Sequence, residues 1–319
     1  MYGHIAGYWQ AIRRNWKLVA ALGSVYFIWG STYLAIKVAV AALPPLFAAG
    51  VRFFVAGALL YGWSRLRGAA SPARGQWRRI WLLGAVMFLT CYSFLFWAEK
   101  TVPSGIASVL VAMLPVWTLI LELGILKTQR LTPLLLAALA SGFVGVGLLT
   151  SGARTASGAI PWIPCAGILV SEIAWATGSI LSKKFTLPES LGISAGAQML
   201  CGGCLILLFS ALFGEWRDLR PAPWNAVFAM LYLIVAGSLV AYCAFLWLLR
   251  RMSPTTVSSY AYVNPIVALG LGYFLGGEQL DAGAAAGAAL VISSVILIMK
   301  QRGAVRPAAR EVYAKAAEK

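Results

Sequence analysis

Residues 26–37 read YFIWGSTYLAIK and residues 172–183 read EIAWATGSILSK. At an offset of 146 the pairs Trp29/Trp175, Ser31/Thr177 and Lys37/Lys183 coincide. The likeness extends outward from these two segments. PSGIASVLVAMLP (103–115) echoes PTTVSSYAYVNP (254–265), and QRLT (129–132) echoes EQLD (278–281), with small insertions moving the offset to 149–151. The repeat is weak at any one place but spread along the chain, so the sequence reads as two related halves.

Composition says what solvent those halves meet. The chain has 319 residues, of which 61% are hydrophobic and 11% charged, with a mean hydropathy of +0.80; a soluble domain carries roughly a quarter charged residues. A hydrocarbon core of about 30 Å takes roughly 20 helical residues to cross. Apolar runs of that kind occur at about 17–41, 46–64, 78–98, 103–124, 132–150, 160–181, 191–213, 224–248, 254–275 and 282–300. The expected fold is therefore all-α and integral to the membrane, with ten spans, five in each half. Because five is odd, the halves insert upside down relative to each other, the inverted-repeat plan of many secondary transporters. The expected units are 1–150, 151–303 and a flexible basic tail at 304–319.

A formal charge of +16 raises the question of nucleic acid. Its distribution answers it. Of 26 Lys and Arg, twenty fall on the N-terminal side of the spans, four (Lys100, Arg154, Arg217, Arg220) on the other, and Lys37 and Arg52 lie within spans. This is the positive-inside pattern. Both termini are expected to be cytoplasmic in an inner (plasma) membrane, and the basic loop SRLRGAASPARGQWRR (64–79) is read as an anchor on anionic lipid. Arg13, Arg14 and Lys17 before an apolar run ending in AVAALPP imitate a secretion signal, but the run exceeds the usual 7–15 residues, so it is read as an uncleaved first span.

Neither metal nor redox chemistry is expected. All five cysteines (Cys91, Cys165, Cys201, Cys204, Cys243) fall in spans and His4 is the one histidine. CGGC at 201–204 resembles a redox or metal pair, yet both chemistries need thiolates, which lipid disfavours. Small residues at a helix contact are the simpler reading. Enzymatic dyads, zinc and haem lack their side chains here, so no cofactor and no catalytic residue are assigned. The expected partners are a small-molecule substrate and membrane lipid, not nucleic acid, in a monomer or homodimer. GAAAG (283–287) and Ser141 with Gly145 form small-residue faces on spans 10 and 5 that suit close contact within one chain.

The candidate site residues are polar or aromatic groups at membrane depth. On span 6, Glu172, Trp175, Ser179 and Lys183 share a helical face; on span 1, Tyr26, Trp29, Tyr33 and Lys37 stand at the same spacings. These faces read as opposing cavity walls, with the two lysines toward opposite mouths. Glu172 reads as a proton carrier or amine contact, or else as a protonated structural acid. Span 9 carries Thr256, Tyr260 and Asn264 on one stripe, and Tyr92 and Trp97 on span 3 are further cavity candidates. Pro115 and Pro265 are related mid-span prolines that free carbonyls and mark a hinge or gate. Arg52 and Gln198, again 146 apart, could orient gates or hold a substrate carboxylate. Glu122 reads as structural, within reach of Lys127.

WGSTYLAIK (29–37), PPLFAAGVRF (44–53), VPSGIASVLVAMLPVWT (102–118), GSLVAYCAFLWLL (237–249) and SSYAYVNPIVALGLGYFLGGEQL (258–280) resemble the EamA family of the drug/metabolite transporter superfamily, ten-span bacterial exporters. The resemblance implies that spans 1–4 and 6–9 surround a central cavity buttressed by 5 and 10. It is nearest to the branch that includes exporters of pigments and amino-acid metabolites. The function expected is export of small amphiphilic metabolites, amino acids, their derivatives or drug-like compounds, by alternating access. A flippase for lipid or polyprenyl-linked substrates, and a nucleotide-sugar or phosphate-ester exchanger, are the alternatives. A channel would need a repeated polar filter.

Overall fold

The computed structural model describes residues 16–126, 132–152, 154–155, 158–159, 162–252, 254–258, 260–275 and 282–304. His4, Lys127 and the tail from 305 onward lie outside the described residues, as do the side chains of Thr256 and Tyr262. The elements are α1 (Trp16–Val40), α2 (Pro45–Leu66), α3 (Arg74–Ala98), α4 (Ser104–Leu121), α5 (Pro133–Gly152), α6 (Trp162–Lys184), α7 (Leu191–Leu212), α8 (Trp224–Leu249), α9 (Pro254–Val257 and Tyr260–Phe274) and α10 (Ala282–Ala304). Seven of them, α1–α4 and α6–α8, are long and apolar enough to cross a membrane by length and composition. The others are apolar helices beside them. Two short antiparallel strands, Arg154–Thr155 and Gly158–Ala159, join the halves between α5 and α6.

Large apolar side chains such as Leu66, Leu212, Trp224, Phe228 and Phe274 are exposed on the outside of the bundle. In water that surface would be costly. Against lipid tails it is the expected finish, because no hydrophobic force then favours burying it. The protein is accordingly an all-α membrane protein.

Glycines let the helices approach. The tightest pairing is α2 on α7: a Cβ at Gly57 would meet the Leu200 backbone nitrogen at 2.3 Å, and one at Gly203 would meet the Phe54 nitrogen at 2.3 Å. CGGC is therefore a contact motif, with Gly202 facing Phe88 of α3 and all five cysteines free. A second pair, α5 and α10, packs in the same way: a Cβ at Gly145 would meet Leu290 Cβ at 2.9 Å, and Ser294 donates to the Ala138 carbonyl. That small-residue contact is made within the chain.

Four helices are irregular where the bundle closes. α3 is π-helical over Gly84–Thr90 and α8 over Leu233–Val240, segments whose starts are 149 residues apart. A π-turn re-aims the side chains that follow it and is frequent at functional sites. α4 breaks between Val111 and Leu114, where the Met113 amide bonds back only three residues, to Leu110 at 3.1 Å. Pro115, just beyond, brings no donor for the Val111 carbonyl, which explains the tightened turn. α9 differs from expectation. It runs unbroken past Pro265, and its interruption lies earlier, between Val257 and Tyr260. The ring of Pro265 crowds the Ala261 carbonyl four residues back, which is already in the first turn of the new segment. The Ala261 amide makes a three-residue bond to Ser258 at 3.0 Å.

Loops fix which ends share a side. Arg79 donates to the Thr186 carbonyl at 3.3 Å, and Arg250 to those of Glu189 and Pro188 at 2.5 and 2.8 Å. The start of α3, the α6–α7 loop and the end of α8 therefore meet on one side, the basic side. On the opposite side Glu215 accepts from the Leu46 and Phe47 amides at 3.2 and 2.8 Å and so caps α2.

Candidate functional site

At the centre of the bundle the side chains of five helices enclose a cavity of about 40 Å³. α1 supplies Trp29, Thr32, Tyr33 and Ile36, which share one helical face; α3 supplies Cys91, Tyr92 and Leu95; α4 supplies Val111; α6 supplies Glu172 and Trp175; α9 supplies Tyr260 and Asn264. One buried water needs roughly 10–15 Å³ of such space. The cavity has room for water but not for a metabolite, since ligand pockets run to roughly 300–1,000 Å³. The centre is thus too narrow for a metabolite in this conformation.

Aromatic rings make the seal. Trp29 stands edge-on to Trp175 at 5.4 Å and to Tyr260 at 4.7 Å, and Phe245 lies within 5.2 Å of Trp29 and 5.1 Å of Trp175. Trp29 and Trp175 are the repeat-related pair from which the sequence was read, and here they touch. The Trp29 indole donates to the Gly237 carbonyl at 3.1 Å, inside the π-segment of α8. That bond ties the seal to an irregular backbone segment of the other half.

Several buried polar atoms around the cavity have no hydrogen-bond partner: Glu172 Oε2, Trp175 Nε1, both amide atoms of Asn264 and Arg52 Nη1. Glu172 is 3% exposed and receives only a long bond, from Ser171 at 3.4 Å. Each such group costs about 1–3 kcal/mol, more when charged. A packed core removes such costs. A binding site keeps them until a ligand arrives.

The other candidates take different places. Arg52 is buried behind the cavity wall, donating through Nε to Ser238 at 2.9 Å and lying against Phe53, Tyr92 and Phe96 at 4.7, 5.2 and 6.0 Å. Gln198 is also away from the cavity, holding Ser194 at 3.1 Å and accepting from the Tyr242 hydroxyl at 2.9 Å. Tyr26 is half-buried and does not line the cavity, and Ser179, though buried, donates to the Trp175 carbonyl at 2.7 Å instead of facing it. Trp97 is 40% exposed against Gly167, so it packs α3 on α6. Lys37 is half-buried one residue beyond Ile36, toward the opposite side. Lys183 lines a second, larger cavity on the basic side. Glu122 is buried, and its expected partner Lys127 is outside the described residues. Sequence reading missed Tyr242 and Phe245, although Tyr242 stands at an offset of 150 from Tyr92. It also missed Glu99, which is buried at the end of α3.

The EamA-like transporter family model matches this chain twice, over residues 15–151 and 162–300. The chain is 37% identical over 289 residues to the inner membrane transporter YedA of Escherichia coli (strain K12), covering 90% of this chain and 92% of YedA. It is 31% identical over 280 residues to the protein PecM of Dickeya dadantii (strain 3937), covering 85% and 88%. A crystal structure at 20% identity, covering 88% of this chain and 95% of its own, superposes with a TM-score of 0.64 and shows the same fold. A doubly matched family model and relatives of this extent leave one conclusion: the chain is a member of the EamA-like transporter family.

Proposed function

We propose that the protein exports small amphiphilic metabolites, such as amino acids, their derivatives or drug-like compounds, by alternating access across the inner membrane, with the basic side in the cytoplasm. One observation carries this reading. A narrow aromatic cavity between two repeat-related halves is bordered by unpartnered polar atoms of Glu172, Trp175 and Asn264. The rings of Trp29, Trp175 and Tyr260 suit an apolar body and attract a cation by roughly 0.5–2 kcal/mol. Glu172 suits the amine of the same solute. Lys and Arg on the basic loops meet the anionic cytoplasmic leaflet, which orients the chain.

Metabolite profiling of spent medium from cells lacking or overproducing the protein identifies the solute, and counterflow in liposomes then tests the mechanism. Labelled solute accumulating only against unlabelled solute on the far side is the expected result. Flux that needs no solute on the far side and never saturates would contradict a carrier.

A further inference from the structure

The basic side holds a space large enough for a solute while the centre does not. Between the end of α6, the α6–α7 loop, the start of α7 and the end of α8 lies a cavity of about 370 Å³. Its wall includes Ser182, which stands 146 residues after Ile36 of the central cavity. The second cavity is built from the C-terminal half alone, whereas both halves line the central one.

The chemistry of the wall is specific. Lys183, Arg250 and Glu189 are its charged residues, giving a formal net of +1, and Leu246, Leu249 and Phe185 form an apolar flank. Arg250 spends two donors on the Glu189 and Pro188 carbonyls, which holds the loop in place and leaves the rest of its five-donor fork for a ligand. Ser194 is buried in the same wall and accepts from Gln198, which accepts from Tyr242, whose ring lies 6.2 Å from Trp175. A chain of direct contacts thus joins this cavity to the seal.

We propose that this cavity is a cytoplasmic loading site for organic solutes with a carboxylate head and an apolar body. The head sits by Lys183 and Arg250, and the body lies on Leu246, Leu249 and Phe185. The inference rests on the transport reading for its role, but the site itself can be tested without transport. Leu246→Cys, in a protein whose native cysteines are replaced, puts a thiol on the apolar flank. Inside-out vesicles are treated with sulfonatoethyl or trimethylammonioethyl methanethiosulfonate, each rate divided by that for a free thiol in solution. The anionic reagent should react about tenfold faster, as expected where a cleft focuses one sign of charge. Lys183→Gln should abolish most of that preference and Lys183→Arg should keep it. Benzoate should slow the labelling, and benzylamine should not.

Equal normalised rates for the two reagents, or no protection by benzoate, would overturn the proposal. Protection by benzoate in the Leu246→Cys protein alone decides the matter if the Lys183 variants are poorly expressed. A labelled protein that still performs counterflow at full rate would remove the cavity from the transport path. Absence of counterflow of any candidate solute by the wild-type protein, alongside charge-selective labelling of the Leu246→Cys protein, would instead overturn the carrier reading and leave the site standing.

Discussion

Glu172 illustrates how much depends on one position. A carboxylate at mid-membrane costs roughly 2.5–3.5 kcal/mol or more, and this one has a single long hydrogen bond to offset it. Such an arrangement persists when the charge or the proton is used. Glu172→Gln keeps size and hydrogen bonding while fixing the neutral form. It should express normally and lose most transport of amine-bearing solutes, or lose the pH dependence of that transport, in assays from about pH 5.5 to 8 that span the range where protonation changes are read. Glu122→Gln should do neither. Equal rates for wild type and Glu172→Gln across that range would make the residue structural. Trp29, Glu172 and Trp175 were legible because the repeat and the helical period agree on them. Tyr26 and Ser179 lie on the same faces but on the basic side of the seal, and a helical period reports angle without depth. Trp97 was grouped with Tyr92 by residue type, although five residues put it about 140° round the helix. Tyr242 had a signal, its offset from Tyr92, that only a full comparison of the halves would use.

Elements were read more easily than their irregularities. All ten apolar runs became helices because hydrocarbon leaves the backbone no other way to satisfy its polar groups. The π-segments of α3 and α8 leave no mark in the pattern; the one in α8 accepts a bond from Trp29 at Gly237. Pro265 lies inside a continuous helical segment, and the interruption of α9 precedes Tyr260. Pro265→Ala restores a donor to the Ala261 carbonyl and removes the crowding beside the turn at 258–261. Turnover should fall while expression stays near wild type; normal transport would reduce that turn to packing. The α2–α7 contact is less forgiving. Gly203→Ala sets a Cβ against the Phe54 backbone at 2.3 Å, and overpacking of this kind costs about 1–3 kcal/mol. Thermal unfolding in detergent should show a clear loss for Gly203→Ala and little change for Gly62→Ala, where a Cβ meets nothing within 4 Å.

For the whole molecule, the two halves match in sequence more closely than in their present roles. Tyr33 and Glu172 line the central cavity; their counterparts Ser179 and Tyr26 do not. Arg52 lies against Tyr92, whereas Gln198 bonds the hydroxyl of Tyr242. A single conformation of an inverted repeat has this asymmetry, and in the alternating access proposed above, exchanging the halves' conformations would move the opening to the other side. The orientation proposed for the chain predicts that a thiol introduced within 70–75 reacts with an impermeant reagent from the cytoplasmic side and not in intact cells. That the chain is a set of apolar helices was readable from length and hydropathy, seven of them long enough to cross a membrane, but which side of the seal stands open was not, since it is a property of one state. The most direct measurement of alternating access places one thiol at Ile36→Cys and another at Ser179→Cys, on either side of the Trp29–Trp175 contact, in a cysteine-free protein in sealed vesicles. Modifying the first with a bulky impermeant reagent from the outer side should abolish reaction of the second from the cytoplasmic side. Two thiols that react independently of each other would show a pathway open from both sides at once and contradict the account.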